Sequence, residues 1–370
     1  ASKGRRGMKK FVIEKDKLAE NSRLIQKKAG VPVIAVLKAD GYGFGMAQMA
    51  QVLAETGITM FAVTEPEDAV RLRELGFTQQ DILVMRSTAM ADEAYQVVQA
   101  NAIATVGSPE AAYCLNEVAE GCGTQARAHI KIDTGMGRYG FLPDQYAEIK
   151  AVYTHCAGIE VTGIYTHFHS AFADEAATRA QYKQLCAVTE QLKADGVDCG
   201  MRHAANSSGL FCYDDLMLDA VRVGSAFTGR IPAKTPTGLN RLGYLESRVI
   251  ELRTVPKGHT VGYGAGYVTK DATRIAVVPV GYTDGFSVEK KKDLYRFRDV
   301  IRYIIGEIKN GLGKGSIYIT VNGQRARVLG HVGLCHVSVD VTGLDVHNGD
   351  TAILDVNPLY LSPLVPKEYV

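Results

Sequence analysis

The chain has 370 residues, 46% of them hydrophobic and 22% charged, with a net charge of +2. That is more chain than one ordinary core uses, so two domains are expected, and the composition is that of a globular protein. The near-neutral balance argues against a nucleic-acid or membrane-surface partner, and no apolar run reaches the ~20 residues of a membrane span.

The seven cysteines are scattered and form no CxxC pair. This fits a reducing cytoplasm and argues against a disulfide framework or a metal site. The basic stretch Ala1–Lys10 lacks an initiating Met. A start at Met8 behind foreign residues and a cut within a longer chain are both compatible with it, so it stays outside the fold reading.

From about Val31, short β-branched runs alternate with stretches of helical spacing. The runs are Val33–Leu37, Thr59–Val63, Ile82–Arg86, Ile103–Val106, Ala128–Ile132, Val161–His167, Met201–Ala204 and Ala220–Val223. Met46–Glu55, Pro66–Leu75, Asp92–Ala100 and Ala173–Asp195 carry helical periodicity between them. Ser108-Pro109-Glu110 reads as an N-cap with proline at the first helical position. Eight such units predict a (β/α)8 TIM-type barrel over 11–238, with an open doubly wound sheet as the competing arrangement.

From 239 to 370 the pattern becomes strand and turn. Candidate strands are Ser247–Thr254, Arg274–Val280, Ser316–Val321, Ala326–Leu329, Val337–Val341 and Ala352–Leu354. Asn322-Gly323 and Asn348-Gly349 supply turn signals. A mostly antiparallel β domain is expected, interrupted by a helix over Lys290–Asn310.

Lys38 ends the first apolar strand, ahead of a Gly-rich turn. Strand C-termini form the reactive face of a barrel, and a half-buried lysine there loses its proton more readily and can form a Schiff base. Taken alone, it reads first as a surface lysine with a buried stem. Barrels commonly bind phosphate after strands 7 and 8, where Ser207 and the Gly224-Ser225 pair fall. Arg222 sits in the last barrel run, where it could instead form a buried ion pair with Asp219.

Lys38-Ala39-Asp40-Gly41-Tyr42-Gly43-Phe44-Gly45 resembles the cofactor-lysine motif of the alanine racemase family. The resemblance continues in order through Lys131-Ile132-Asp133-Thr134-Gly135-Met136-Gly137-Arg138, Tyr165-Thr166-His167-Phe168 and His203-Ala204-Ala205-Asn206-Ser207-Ser208. Val221-Arg222-Val223-Gly224, Gly262-Tyr263-Gly264 and Gly281-Tyr282-Thr283-Asp284-Gly285 complete it, spanning roughly 11–356.

The resemblance implies a racemase that exchanges L- and D-alanine with pyridoxal 5'-phosphate (PLP). Lys38 would hold the cofactor and act as one base, with Tyr263 as the second. Tyr42, His167, Asn206, Ser207, Arg222, Gly224, Ser225 and Tyr282 would bind the cofactor, His167 by stacking and Arg222 at the pyridine nitrogen. Arg138 and the backbone of Leu334, with Tyr263, would meet the substrate, and Lys131 is a candidate for carbamylation. Tyr263 would serve the partner's site, which implies a homodimer with composite sites.

The chain departs from the family at Gly330-His331-Val332-Gly333-Leu334-Cys335-His336, where Gly-Arg-x-Cys-Met-Asp-Gln is usual. It also departs at Phe44 and in a longer segment after Gly285. These differences leave serine, or a longer substrate such as lysine or ornithine, as alternatives to alanine. A related PLP decarboxylase would want a carboxylate in place of Arg222. A non-enzymic PLP-binding barrel would lack the β domain.

Overall fold

The computed structural model describes residues 7–233, 235–290, 297–309 and 316–370. It divides into two compact units, one of Lys15–Leu242 and one of Ala1–Glu14 with Gly243–Val370.

In the first unit eight parallel strands pair in chain order. They are β2 (Val33–Val36), β3 (Met60–Val63), β4 (Asp81–Ser87), β5 (Ile103–Val106), β6 (Ala126–Lys131), β7 (Ile159–Tyr165), β8 (Met201–His203) and β9 (Val221–Val223). β9 pairs back onto β2, and a bridge between His203 and Ala220 joins β8 to the strand that follows it, so the sheet closes. The competing open sheet is thereby excluded. Ile34, Val36, Met60, Ala62, Leu83, Ile103 and Ala220 form one buried cluster on these strands.

Helices occupy the predicted intervals. Met46–Glu55 and Pro66–Glu74 follow their strands, and Ser108 caps the helix that begins at Pro109 by accepting from the Ala111 N–H at 3.2 Å. Capping at this position satisfies a donor that the helix itself cannot.

The second unit is built on a nine-stranded sheet. The first strand of the chain, β1 (Lys10–Ile13), belongs to it rather than to the barrel, and lies between β10 (Tyr244–Arg248) and β19 (Lys367–Tyr369). The run expected over Ser247–Thr254 is two strands, β10 and β11 (Glu251–Val255), because its halves pair with different partners. β12 (Thr260–Val261) and β13 (Tyr267–Val268) form a separate hairpin. β14 (Thr273–Val278), β15 (Tyr318–Val321), β16 (Gln324–Leu329), β17 (Val337–Asp340) and β18 (Thr351–Leu354) complete the main sheet in the order β11-β14-β17-β16-β15-β18-β10-β1-β19. β10 and β11 are consecutive in the chain yet six places apart in that order. The two-residue step between them is short enough that the sheet has to curl to bring its β11 edge back beside β10.

The predicted insertion helix is present over Phe297–Lys309. Of the helix expected over Lys290–Asn310, residues 291–296 and 310 lie outside the described residues. Ile301, Ile304, Ile305 and Ile308 are exposed along the helix.

Candidate active site

The barrel strands end around a cavity of about 300 Å³, lined among others by Lys38, Tyr42, Lys131, Arg138, His167, Asn206, Ser207, Arg222, Gly224 and Ser225. Ten of the residues singled out from sequence therefore come together. Lys38 follows β2 and opens one turn of left-handed helix. Ala39 (φ 54, ψ 51), Asp40 (φ 52, ψ 51), Gly41 (φ 62, ψ 43) and Tyr42 (φ 57) all lie in a region that suits only glycine without cost. Compensating bonds hold the turn. The Gly45 N–H donates to the Asp40 carbonyl (2.8 Å), and the Met46 N–H donates to Asp40 Oδ1 (2.9 Å). Burial, and then the nearby Arg138 charge, push the Lys38 amine below the usual lysine range, toward the neutral form a nucleophile or base needs.

Arg222 on β9 is 3% exposed. Its guanidinium donates to the Thr166 carbonyl (2.6 Å) and to His203 Nδ1 (2.6 Å), and lies 3.3 Å from His167 Nδ1. It also stacks over the Tyr165 ring at 4.7 Å. Asp219, the alternative ion-pair partner, is taken by Arg202 at 2.9 Å. Burial lowers the Arg222 pKa only to about 10, so the group stays charged at neutral pH. His167 follows β7. Burial first, and then the Arg222 charge, lower its pKa well below the ordinary histidine value, which leaves a neutral ring.

Hydroxyls and backbone donors gather at the ends of β8 and β9. Ser207 Oγ accepts from the Gly224 N–H at 3.1 Å. The Tyr42 phenol packs so close to Gly224 that a Cβ there would stand 2.0 Å from the Tyr42 oxygen, which accounts for the glycine. Burial pushes the Tyr42 pKa up to about 12, so the phenol remains a donor. Asn206 acts one step back: its Oδ1 accepts from the Gly209 N–H (2.9 Å) and its amide donates to the Phe168 carbonyl (3.1 Å).

Lys131 ends β6, is 1% exposed, and donates to the Ile132 carbonyl at 2.6 Å. Burial, followed by the Arg222 charge, lowers its pKa to about 7. Asp133 accepts from the N–H groups of Gly135, Met136, Gly137 and Arg138. Burial opposes its ionised form, but these four donors outweigh it and hold the carboxyl below its usual value. They also fix the backbone that carries Arg138, whose guanidinium stacks on Tyr139 at 4.7 Å.

The remaining predicted residues belong to the β unit, where three loops meet. The Tyr282 N–H donates to the Gly333 carbonyl (3.1 Å), and the Thr283 N–H and hydroxyl both donate to the Leu334 carbonyl (3.2 and 2.6 Å). A Cβ on Gly333 would lie 3.7 Å from the Tyr263 ring, and one on Gly266 would lie 2.8 Å from the His331 ring. Tyr263, Tyr282 and Leu334 are therefore neighbours, each at least 48% exposed, and the family departures His331 and Cys335 share their loop cluster.

Sequence reasoning missed His129 and Tyr139, and it quoted His203 and Tyr165 only inside motifs. All four lie in or beneath the barrel cavity. The available signal was a polar residue inside an otherwise apolar strand, as at His129 between Ala128 and Ile130. Among the described residues no cluster of three His, Cys, Asp or Glu could hold a metal, and no helix is long and apolar enough to cross a membrane.

A cofactor with an aldehyde, a flat ring and a phosphate fits this donor set, which offers a lysine amine, a neutral imidazole face, and hydroxyls with backbone N–H groups.

Comparison with known proteins gives the same answer by an independent route. Residues 13–232 match the alanine racemase N-terminal domain family, and residues 243–358 match the alanine racemase C-terminal domain family. The alanine racemase of Desulforamulus reducens is 33% identical over 340 residues, covering 89% of this chain and 84% of that protein. The solved alanine racemase of Clostridium difficile superposes with a TM-score of 0.85 at 25% identity, covering 99% of this chain and 97% of the other. That of Bartonella henselae, described with covalently bound pyridoxal phosphate, shares the fold at a TM-score of 0.81 and 21% identity, covering 98% and 100%. The chain belongs to the alanine racemase family, amino-acid isomerases that depend on pyridoxal 5'-phosphate.

Proposed function

We propose that this protein interconverts L- and D-alanine by moving the Cα proton between two bases, Lys38 and Tyr263. The supporting observation is the convergence of Lys38, Tyr42, His167, Ser207, Arg222 and Gly224 on one barrel cavity. When bound, PLP withdraws electrons from Cα and makes its proton acidic.

The chain's own residues do the rest. Lys38 would hold the cofactor's aldehyde and, as a free amine, would take or return the Cα proton on one face. The hydroxyls of Tyr42, Ser207 and Ser225 would bind the phosphate, with the Gly224 N–H holding Ser207 Oγ, the bare Gly224 Cα leaving room for the Tyr42 phenol, and Asn206 fixing the turn that presents Ser207. His167 would stack on the cofactor's ring. Arg222 would face the pyridine nitrogen, and because guanidinium is a donor that does not give up its proton at working pH, it would leave that nitrogen unprotonated. Such a ring would withdraw electrons less strongly, which would favour prompt return of the proton over other fates.

One base cannot easily serve both faces of a planar centre. Tyr263 supplies the opposite face from the partner subunit, in a homodimer with composite sites. Tyr282, beside it, adds a further donor toward the phosphate. Arg138 meets the substrate carboxylate or the cofactor's phenolic oxygen. Lys131, with its pKa near 7, has the neutral amine that carbamylation requires.

Serine is the second substrate in this reading, because the loop of Leu334 carries His331 and Cys335 where the family has arginine and aspartate. A panel of L-amino acids followed by chiral chromatography tests both substrates. Lys38→Ala should lose the visible absorption of the bound cofactor together with racemisation; retained turnover refutes the assignment.

A further inference from the structure

Beneath Arg222 lie two histidines that the mechanism above does not use. His129 on β6 and His203 at the end of β8 are 2% and 0% exposed. His203 Nδ1 is 2.6 Å from the Arg222 guanidinium, and His203 Nε2 is 2.8 Å from His129 Nδ1.

Guanidinium has donors only. His203 Nδ1 must therefore accept, which places its single hydrogen on Nε2. That hydrogen points at His129 Nδ1, so His129 also accepts and carries its own hydrogen on Nε2. The arginine thus dictates the tautomer of both rings, and the direction runs one way, from Arg222 to His203 to His129. A protonated His203 would set one N–H against another. The surroundings hold the pair in place. Tyr165 stacks on His203 at 4.7 Å with an interplanar angle of 8°, and its hydroxyl lies 2.9 Å from Thr105 Oγ1. β7 clears a slot for the other ring: a Cβ on Gly163 would stand 2.7 Å from His129 Nε2.

We propose that His129 is a positioning residue for racemisation: by accepting the His203 Nε2–H it holds that ring at the angle where Nδ1 accepts from Arg222, and so keeps Arg222 against the cofactor's ring nitrogen. Without the His129 acceptor, the His203 ring is free to turn on its side chain, and Arg222 loses its shortest side-chain acceptor, leaving His167 Nδ1 at 3.3 Å. The inference rests on the reading that Arg222 faces the pyridine nitrogen.

The test compares His129→Leu, which removes the acceptor, with His129→Asn, whose Oδ1 falls where the histidine has Nδ1. Each holoenzyme is loaded with PLP labelled with 15N in the ring, and the ring 15N shift is followed between pH 6 and 9 beside kcat and KM for alanine. In the unaltered enzyme the ring nitrogen should stay unprotonated throughout. In His129→Leu it should titrate within this range, with kcat down about tenfold, the scale of one unmet buried hydrogen bond, and KM within about twofold. His129→Asn should restore both the shift and kcat.

A ring nitrogen that stays unprotonated in the parent and is identical in folded His129→Leu overturns the role of His129 alone. Equal losses in Leu and Asn variants also overturn it, since they mark a purely structural contribution. A parent ring nitrogen that titrates as in free cofactor overturns the placement of Arg222, and this inference with it. Should His129→Leu fail to fold, the imidazole 15N spectrum of the parent decides: His203 must carry its hydrogen on Nε2 with Nδ1 accepting, and the opposite tautomer refutes the proposal.

Discussion

Acid should destabilise the barrel through its buried histidines, by an amount the structure fixes. Burial lowers the His129 pKa to about 3, against 6.5 for the unfolded chain. Below pH 6.5 the unfolded chain therefore binds a proton that the folded chain refuses, and stability falls as pH falls. The contribution is fully present above 6.5 and drains away between about 6.5 and 3. Between pH 7 and pH 5, His129 alone should cost about 2 kcal/mol, at about 1.4 kcal/mol per pH unit once the unfolded histidine is mostly charged. His203 and His167, also pushed well below the ordinary value by burial, act with the same sign. Urea unfolding of the parent and of His129→Asn at pH 7, 6, 5.5 and 5 measures the difference. Asparagine does not titrate, so the variant's stability should fall less steeply, by one proton's worth of slope. Equal slopes would mean that folded His129 takes up its proton as readily as in the unfolded chain, and would refute both its neutrality and the bonding direction drawn from Arg222.

Mixing the inactive variants Lys38→Ala and Tyr263→Phe should recover activity, since one of the two hybrid sites has both bases; no recovery despite proven subunit exchange would rule out composite sites. Arg222→Glu should permit protonation of the pyridine nitrogen and raise transamination relative to racemisation, measured as pyruvate formed per D-alanine; an unchanged ratio in folded protein contradicts the role given to Arg222. The pair of changes Cys335→Asp and His331→Arg should move the kcat/KM ratio of serine to alanine toward alanine by about 5- to 100-fold, the worth of one or two placed contacts. If the ratio does not move, that loop does not select the substrate.

The barrel was legible because each of its strands is a short β-branched run with a helix behind it, and the close agreement at Met46–Glu55 shows how far periodicity alone reaches. The β unit was harder to read. β1 is only four residues long and lies against a basic stretch, and nothing local announces that Phe11 pairs with Leu245 and Lys367. The break between β10 and β11 is likewise set by distant partners, Asp350 accepting from the Val249 N–H and Val277 accepting from the Ile250 N–H.

In the site, Lys38, Ser207 and Ser225 could be placed from strand ends, but the partners of Arg222 could not. Asp219 is three residues away along a strand and looked available, yet Arg202 on the neighbouring strand takes it. The acceptors that Arg222 does use come from β8 and from the segment after β7, brought close only by closure of the sheet.

The place of β1 also bears on how the chain is made. Its pairing partners on either side include residues near the far end of the sequence, and Lys10 reaches Glu368 at 3.1 Å. On a ribosome the barrel residues Lys15–Leu242 can gather as soon as they emerge. Phe11, Val12 and Ile13 instead wait, apolar and unmatched, for β10 and then β19. At about 5–20 residues per second, the delay between completing the barrel and delivering β19 is about 6–25 seconds. During that interval β10 can already cover one edge of β1, and the edge that β19 will take stays open to a sister chain on the same message, so the yield of folded protein should respond to translation speed and to chaperones that hold extended apolar segments.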